Sequence, residues 1–510
     1  MNIPILNSIM QYLQGDGATI LPEIELTLFG LGILLIDFTI GVKEKYWNAG
    51  LALAGTLFSG YTLWKLRAAV DARGELQGFQ NSVVVDHFFL FFGALFLAAT
   101  ALVVLLSVKY LEIEDEQEGE YYALLLFACV GMMFMASGSD LIVLFLGLET
   151  MALSFYVLTG FLRRDKRSNE AALKYVLLGA FSSGILAYGF SLLYGLSAST
   201  NIVSIGAMLE RRIRFVQSPQ AAAAHLDPFL FQLLPILAFV LIAVGLFFKV
   251  AAVPFHQWAP DVYEGAPTPV TIYVSVASKT ASFALLLRLF LFVFWGSQDT
   301  WLYLIAGIAV ASLTWGNLAA LTQTNVKRLL AYSSISHVGY VLLGLVAGNE
   351  TALTGIGYYL LAYVFMTAGA FAVLVVLRQK GLIGEELEEL NGLYQRSPAA
   401  AVLLLVFMLS LAGIPPTAGF MGKYFIFLSL IETRHPVLAV FAVLYIVPAL
   451  YYYFRIVVHA WLKQPGEAPR PVMTNAQAVA LGIAVFVTLA AGLYPEPFTK
   501  LAHYAFTFGQ

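Results

Sequence analysis

Runs of about twenty apolar residues recur along almost the whole chain, and they restrict what it can fold into. At 1.5 Å per residue, such a run forms a helix that crosses the roughly 30 Å hydrocarbon layer of a membrane. The chain is 60% hydrophobic and 12% charged, whereas a soluble domain has roughly 45–50% apolar and 25% charged residues. A water-soluble core cannot hide this much apolar surface, so we predict an all-α integral membrane protein.

The apolar runs predict about fourteen transmembrane helices. These spans cover residues 20–41, 46–66, 86–108, 121–139, 141–162, 171–195, 232–258, 270–294, 301–321, 327–347, 352–377, 399–431, 437–461 and 476–495. The connections are mostly short, so residues 1–510 are expected to form a single polytopic membrane domain. The longest connection, 196–231, contains LERRIRF, which forms either a small interfacial helix or a solvated loop.

Lys and Arg are more frequent in the odd-numbered loops, chiefly because of the cluster FLRRDKRSNEA. Basic loops stay on the cytoplasmic side, so both termini are predicted on the non-cytoplasmic side. The N-terminal MNIPILNSIMQYLQGDG has no Lys or Arg ahead of its apolar residues and is a poor signal peptide. The single cysteine, Cys129, excludes an intramolecular disulfide, and no iron–sulfur or zinc spacing is present.

Five ionisable residues on five different predicted spans lie near the middle of the membrane. Each is about 12–18 Å from the nearer end of its span; they are Glu149, Lys249, Lys279, His337 and Lys423. Each one alone is also explained as a buried polar group that pairs helices. Hydrogen bonds between membrane helices contribute only about 0.6 kcal/mol on average, however, and intramembrane charges usually mark ion pathways or proton relays. Lys174, Arg288 and Arg455 lie near span ends, where snorkelling to the interface explains them.

A lysine in apolar surroundings holds its proton less firmly, and a nearby carboxylate strengthens that hold. A contact between Glu149 and Lys249 that forms and breaks would therefore switch the lysine between binding and releasing a proton. A direct sodium path is less natural, because sodium sites need carboxylates and carbonyls, whereas three lysines repel a cation.

Prolines interrupt two of the predicted spans. Pro254 follows Lys249 in span seven, and Pro415 and Pro416 precede Lys423 in span twelve. Two broken helices five spans apart predict inverted five-helix repeats, spans 4–8 and 9–13, as in many transporters. A simple kink is the alternative, and the two lysines lie on opposite sides of their prolines.

The repeats predict four parts of the membrane domain. These are N-terminal helices 1–3 in residues 1–110, a first repeat in 121–294, a second inverted repeat in 301–461, and helix 14 with the tail in 476–510.

Several segments resemble the antiporter-like membrane subunits of respiratory complex I, the bacterial NADH:quinone oxidoreductase, over roughly residues 80–460. They are FKVAAVPFHQWAPDVYEGAPTPVT, VSVASKTASFALLLR, NLAALTQTNVKRLLAYSSISHVGYVLLG and GIPPTAGFMGKYFIF. PDVYEGAPTP and the SK pair are typical of the N type within this family. A lysine at Lys423 also fits that type, because the M type is expected to have glutamate there. The chain has no room for the long lateral helix of the L type.

The resemblance implies fourteen helices with an inverted five-helix repeat. It also implies that Glu149 is the glutamate of helix five, Lys249 its broken-helix partner, Lys279 the connecting lysine of helix eight and Lys423 the terminal lysine of helix twelve. His337 is a further relay candidate between lysines. Ser333, Ser334, Ser336 and Tyr340 line a hydrated path or simply pack.

The predicted function is therefore a proton-translocating, non-redox subunit of a quinone-reducing dehydrogenase in the bacterial plasma membrane. The chain has no glycine fingerprint, flavin signature or metal cluster site, so no cofactor is expected on it. Flavin, iron–sulfur clusters and quinone are expected on partner subunits, and its partners are the other membrane subunits. The alternative is a subunit of a multi-chain sodium/proton antiporter, and a structural membrane scaffold comes third.

Overall fold

The structure is a computed structural model and describes residues 15–41, 44–116, 119–216, 228–379, 384–465 and 470–507. Each predicted span coincides with a helix or a broken pair of helices. The first half contains α1 Leu21–Asp37, α2 Tyr46–Arg73, α3 His87–Glu114, α4 Gly119–Ser137, α5 Leu141–Thr159, α6 Lys166–Ser197, α7 Ile202–Val216, α8 Pro228–Val250, α9 Trp258–Gly265, α10 Thr268–Tyr273 and α11 Lys279–Leu289. The second half contains α12 Gln298–Ala320, α13 Val326–Ala347, α14 Glu350–Leu377, α15 Leu393–Arg396, α16 Pro398–Ala412, α17 Ala418–Glu432, α18 Pro436–Leu444, α19 Ile446–Leu462, α20 Asn475–Leu493 and α21 Glu496–Ala505.

Within the described residues, 12 helical segments are long and apolar enough to cross a membrane. The two predicted spans outside this set are α2 and the broken pair α16 and α17. Helix α2 buries Asn48, Thr56, Ser59 and Thr62, which lowers its hydropathy, and each half of the broken pair is too short by itself. The all-helical membrane fold is confirmed, and the count of fourteen and the inverted repeats stay predictions.

The non-helical connections are small. Strands β1 Leu76–Gly78 and β2 Val83–Val85 form an antiparallel hairpin between α2 and α3, with Gln77 opposite Val84. In the long connection, residues 202–216 form helix α7, which buries Ile202, Ile205 and Leu209 at helical spacing. The helix expected around LERRIRF is thus present; its place at the membrane interface stays a prediction, and residues 217–227 of this connection lie outside the described part.

Close packing of small residues joins neighbouring spans. A Cβ on Gly131 of α4 would lie 2.5 Å from the Met151 nitrogen and 2.6 Å from the Gly147 oxygen of α5. A Cβ on Gly316 of α12 would lie 2.6 Å from the Ser336 nitrogen of α13. Glycine is needed at these positions because helices in a membrane pack tightly where small residues let their backbones meet. Spans four and five, and spans nine and ten, are packed in this way.

Both predicted breaks are present. Helix α8 ends at Val250, Ala251 has a φ of 59°, and the chain becomes helical again at Trp258. Helix α16 ends at Ala412, Gly413 has a φ of 84°, and helix α17 begins at Ala418. Pro254 lies within the first break and Pro415 and Pro416 within the second.

The centre of the bundle consists of α10 with α11, α13 and α14. Helix α14 is buried along nearly its whole length, and α13 almost as much. A π-helical turn, Val274–Ser278, joins α10 to α11 directly before Lys279. Such turns often occur at functional sites, and this one lies at the centre of the bundle.

Candidate proton-transfer site

Lys249 is buried, only 2% exposed, at the penultimate position of α8. Its ammonium has no hydrogen-bond partner among the described residues. The nearest aromatic group is Tyr156 of α5, whose ring centroid lies 5.8 Å from Nζ. The first break thus contains a buried lysine whose ammonium is not hydrogen-bonded to any described residue.

Glu149 lies two helical turns before Tyr156 on α5. Its Oε1 is also buried and lacks a hydrogen-bond partner in the described part of the chain. No ion pair within 4.0 Å joins it to Lys249 in the described residues, and both groups lack a hydrogen-bond partner there. The Glu149–Lys249 contact therefore stays a prediction, and the two side chains are not paired in this structure.

Aromatic rings fill the space between Lys249 and Lys279. The ring centroids of Tyr156 and Tyr175 are 4.9 Å apart, and Tyr175 stacks on Trp258 with the centroids 4.7 Å apart. Trp258 lies 6.4 Å from Tyr263, whose centroid is 5.4 Å from Lys279 Nζ. No hydrogen bond links the two lysines directly among the described residues. Three tyrosine hydroxyls and the indole are the polar groups of the rings in this aromatic layer.

Lys279 is 1% exposed and donates a hydrogen bond to Ser334 of α13. Ser334 in turn donates to the Tyr263 hydroxyl at 3.5 Å. Because the π-helical turn precedes Lys279, its side chain leaves α11 towards α13 in the middle of the bundle. The ammonium has no carboxylate within 4.0 Å among the described residues, so one neutral hydroxyl is its hydrogen-bond partner there.

His337 lies one helical turn after Ser334 and is held by two tyrosines. Its Nδ1 is 2.6 Å from the Tyr359 hydroxyl and its Nε2 is 3.1 Å from the Tyr453 hydroxyl. Tyr453 also hydrogen-bonds Ser333. A histidine with a hydroxyl on each ring nitrogen can accept a proton on one side and donate one on the other.

A small cavity separates Lys279 from His337. Its volume is about 10 Å³, and it is lined by Lys279, Phe283, Ser334, His337, Val338, Val341, Tyr359, Leu360 and Tyr363. A cavity needs roughly 10–15 Å³ to hold one water molecule, and the water needs polar partners. An ammonium, an imidazole and three hydroxyls belong to the residues around this one. Because both ring nitrogens of His337 already face tyrosine hydroxyls, a single water there would connect Lys279 to the histidine through Tyr359.

Lys423 is 2% exposed and points back across the second break. Its Nζ donates to the carbonyls of Leu411 at 3.1 Å and Ala412 at 2.9 Å, which are the last residues of α16. The Tyr340 ring lies 4.9 Å below the ammonium and 6.5 Å from the His337 ring. A cation at a helix C-terminus is favoured by the unpaired carbonyls there. Tyr340 thus lies between His337 and Lys423.

The sequence-based interpretation missed several buried ion pairs. Arg288 does not snorkel: it is 3% exposed, donates two 2.7 Å hydrogen bonds to Asp86 and a third of 2.8 Å to the Ala136 carbonyl. Lys327, assigned to a loop, is 1% exposed and pairs with Glu385 at 3.1 Å. Both ends of the bundle are therefore fixed by charges whose partners are distant in sequence.

Two other charges predicted to snorkel have partners as well. Lys174 is half-exposed and pairs with Asp261 and Glu170, each at 2.8 Å. Arg455 donates to the Leu321 carbonyl at 2.6 Å and to Gln323, just beyond the end of α12. Snorkelling thus suits the half-exposed Lys174 best, whereas Arg455 caps a helix end.

The tyrosines are the candidate functional residues that were hardest to identify from the sequence. Tyr359 and Tyr363 lie one helical turn apart in GYYLLAYVF and share a face, but tyrosines at such spacing usually pack in the core. Among the described residues, no group of three or more His, Cys, Asp or Glu side chains is placed to hold a metal ion.

Comparison with known proteins identifies the family of the chain. Residues 138–448 match the family described as NADH:quinone oxidoreductase/Mrp antiporter, TM. The chain is 51% identical over 496 residues to NADH-quinone oxidoreductase subunit N 2 of Solibacter usitatus, covering 96% of this chain and 97% of that protein.

Solved structures show the same fold. A chain of respiratory complex I from Thermus thermophilus with bound aureothin is 33% identical with a TM-score of 0.77, over 94% of this chain and 99% of that one. A chain of the Mrp complex from Dietzia sp. is 22% identical with a TM-score of 0.77, over 95% and 96% respectively. At 22% identity, the second likeness shows the fold alone.

Proposed function

The chain belongs to the family of NADH:quinone oxidoreductase and Mrp antiporter membrane subunits, and we propose that it moves protons as the N-type subunit of an NADH:quinone oxidoreductase. The observation that carries the proposal is the buried group of Lys279, His337 and Lys423, which Ser334, Tyr340 and a water-sized cavity connect. Charged groups in a membrane interior usually serve transport, and here they follow one another across two broken helices.

In the proposed route, Lys249 loads a proton and passes it through the aromatic layer to Lys279. From there the proton reaches His337 through the cavity water and then Lys423. Each of these three transfers needs a donor and an acceptor that change roles, which amines and imidazole can do. Lys423 is the terminal group, because the helix-end carbonyls hold its ammonium at the second break.

Glu149 controls the loading step. When its carboxylate approaches, the Lys249 ammonium gains a counter-ion and keeps its proton, and when the carboxylate withdraws the lysine releases it. The open separation in the structure corresponds to the releasing arrangement. The energy for this movement comes from neighbouring subunits as a conformational or electrostatic signal. Flavin, iron–sulfur clusters and quinone belong to partner subunits in this proposal, so the chain is a non-redox part of a translocase.

The membrane arrangement is part of the proposal. The chain is a multi-pass membrane protein with its termini on the non-cytoplasmic side of a bacterial plasma membrane. Its four parts are residues 1–110, 121–294, 301–461 and 476–510. The partners are other antiporter-like and small membrane subunits of the same complex.

A sodium/proton antiporter subunit is the second candidate, since the Mrp fold is the same. A sodium ion would need oxygen ligands, whereas three buried lysines with no carboxylate within 4.0 Å among the described residues line this route. Co-purification separates the two candidates. Partner chains with flavin and iron–sulfur absorbance support the oxidoreductase, and a redox-silent assembly supports the antiporter.

The direct test is Lys249→Met in the purified complex, reconstituted into vesicles. Methionine has a similar length but no proton to give, so NADH-driven proton uptake should fall to background while the complex stays assembled. Lys65→Met is the matched control, because Lys65 is an exposed lysine over the Tyr61 ring on α2 and lies outside the route. Normal pumping by the Lys249 variant would refute the route.

A further inference from the structure

Glu23 is a buried carboxyl group that the proton route does not use. It lies in the first turn of α1 and is 2% exposed. Neither of its carboxylate oxygens has a hydrogen-bond partner among the described residues. Glu25, two residues later, differs: it is only half-buried, and one of its oxygens accepts a 2.7 Å hydrogen bond from Thr62. The first helix therefore carries one carboxyl with no hydrogen bond and, two residues later, one with a single hydrogen bond whose second oxygen, Oε2, also lacks a partner among the described residues.

Glu23 lines an apolar cavity at the outer surface of the bundle. The cavity has a volume of about 160 Å³ and is bounded by Ile20, Glu23, Ile24, Thr27, Leu28 and Phe134. Leu28 at its edge is 62% exposed, so the cavity opens outwards. Thr27 uses its hydroxyl to donate to the Glu23 backbone carbonyl at 2.8 Å. The Glu23 side chain is thus the polar group of this lining that has nothing to bond.

Burial decides the charge state of this carboxyl. An ionised carboxylate without a partner is costly in apolar surroundings, and a buried acid avoids that cost by keeping its proton. The N-terminal end of a helix favours a negative charge, but that effect is smaller than the loss of hydration. Glu23 therefore presents a neutral O–H donor beside an apolar space.

The size of the cavity indicates what it holds. An apolar cavity of roughly 150 Å³ admits a molecule the size of benzene, so one six-membered ring fits here. We infer that the Glu23 cavity is a binding site for small apolar molecules that carry one hydrogen-bond acceptor and enter from the membrane, and that the Glu23 carboxyl donates its hydrogen bond to that acceptor. This site lies outside the Glu149–Lys423 route and is independent of the proposed function.

Dicyclohexylcarbodiimide is the suitable probe, because it is apolar, can place one of its two rings in the cavity and reacts with protonated carboxyl groups. The Glu23 proton moves to one carbodiimide nitrogen, and the carboxyl oxygen forms a bond to the central carbon. The resulting O-acylisourea rearranges when the acyl carbon moves from oxygen to nitrogen, which leaves a stable N-acylurea. The reaction is an addition, so no atom is lost and no oxidant or reductant is needed.

The test treats the assembled complex in its native membranes with dicyclohexylcarbodiimide and maps the label by peptide mass spectrometry. We expect at least tenfold more label on Glu23 than on Glu25, and no label at this position in Glu23→Gln. Glu25→Gln, the matched control, should leave labelling of Glu23 unchanged. Equal labelling of the two glutamates, or an unlabelled Glu23, would overturn the inference.

An infrared measurement checks the protonated state without any reagent. Glu23→Gln should remove a carbonyl-stretch band of a protonated carboxyl group at neutral pH, and Glu25→Gln should not. Glutamine keeps the shape of glutamate, and intact assembly of both variants is verified on native gels. An unchanged band in Glu23→Gln would show that Glu23 is ionised and would contradict the inference.

Discussion

The two broken helices differ in the side chain that donates hydrogen bonds to their free carbonyls. A break frees the carbonyls at the end of its first half-helix, and a membrane offers no water to satisfy them. At the first break the Trp258 indole donates to the Phe248 carbonyl at 2.8 Å, reaching back from the second half-helix. At the second break Lys423 reaches back in the same way, to the carbonyls of Leu411 and Ala412.

Because the donors at the two breaks differ, Lys249 and Lys423 have different surroundings. Because Trp258 donates to the carbonyl at the first break, the Lys249 ammonium is left without a hydrogen-bond partner among the described residues. Because Lys423 itself donates to the carbonyls at the second break, its ammonium is held in place by protein oxygens. This difference fits the proposed roles, in which Lys249 loads and releases a proton and Lys423 is the end of the route.

The largest expected effect is a difference in stability between Lys423→Met and Lys249→Met. Lys423→Met should destabilise the subunit by about 1–3 kcal/mol for each buried carbonyl that loses its donor. Lys249→Met should leave stability unchanged or raise it, because it removes a buried charge without a partner. Thermal unfolding of the purified complexes measures both variants. Equal losses in the two variants would show that the breaks are alike.

The next effect concerns the switch at the first break. Glu149→Gln keeps the shape of the side chain and removes its charge, so proton uptake should slow about tenfold, equivalent to about 1.4 kcal/mol. The exposed Glu350→Gln serves as the control. An unchanged initial rate of proton uptake in Glu149→Gln would contradict the switch.

Substitutions at the residues with positive φ also distinguish the two breaks. Gly413→Ala places a Cβ 2.9 Å from Cδ and 3.1 Å from Nζ of Lys423 at a φ of 84°, so it should destabilise by about 1 kcal/mol. Ala251→Gly at the first break, where φ is 59°, should stabilise by a similar amount. Thermal unfolding compares the two. Changes of the same sign would contradict this account of the break geometry.

The smallest effect lies between the breaks. Ser334→Ala removes the hydrogen-bond partner of Lys279, worth about 0.6 kcal/mol, and should slow proton uptake about threefold. Ser333→Ala on the same helix removes a contact to Tyr453 instead and should change the rate less. The initial rate of acidification in vesicles is the measurement. A larger loss in the Ser333 variant would place the route on the Tyr453 side.

The bounds of several helices could be predicted from the length of the apolar runs alone. The spans predicted at 327–347 and 352–377 agree with helices Val326–Ala347 and Glu350–Leu377 within two residues, because fully buried helices are apolar from end to end. The span predicted at 46–66 ended too early, since α2 continues to Arg73. Arg67 and Arg73 follow the predicted end of the span, but on an exposed helix face they are solvated without ending the helix.

The partners of the charges could not be predicted. Asp86 and Arg288 are separated by some two hundred residues, and only the folded bundle places them together. Depth along a span identified Lys279, His337 and Lys423 as buried. Ser334 and Tyr340 were candidates for a hydrated path, but the sequence did not show which lysine each of the two contacts. Nor does the sequence of a break indicate whether a lysine or an indole will satisfy its carbonyls, because that depends on the direction in which the chain re-enters.

The central claim is that Lys423 ends a proton route that begins at Lys249. Proton pumping by the reconstituted complex with Lys423→Ala tests it most directly, with assembly verified on native gels. The account predicts that NADH oxidation by the assembled variant moves at least tenfold fewer protons than the unaltered complex. An unchanged number of protons per NADH in that variant would contradict it.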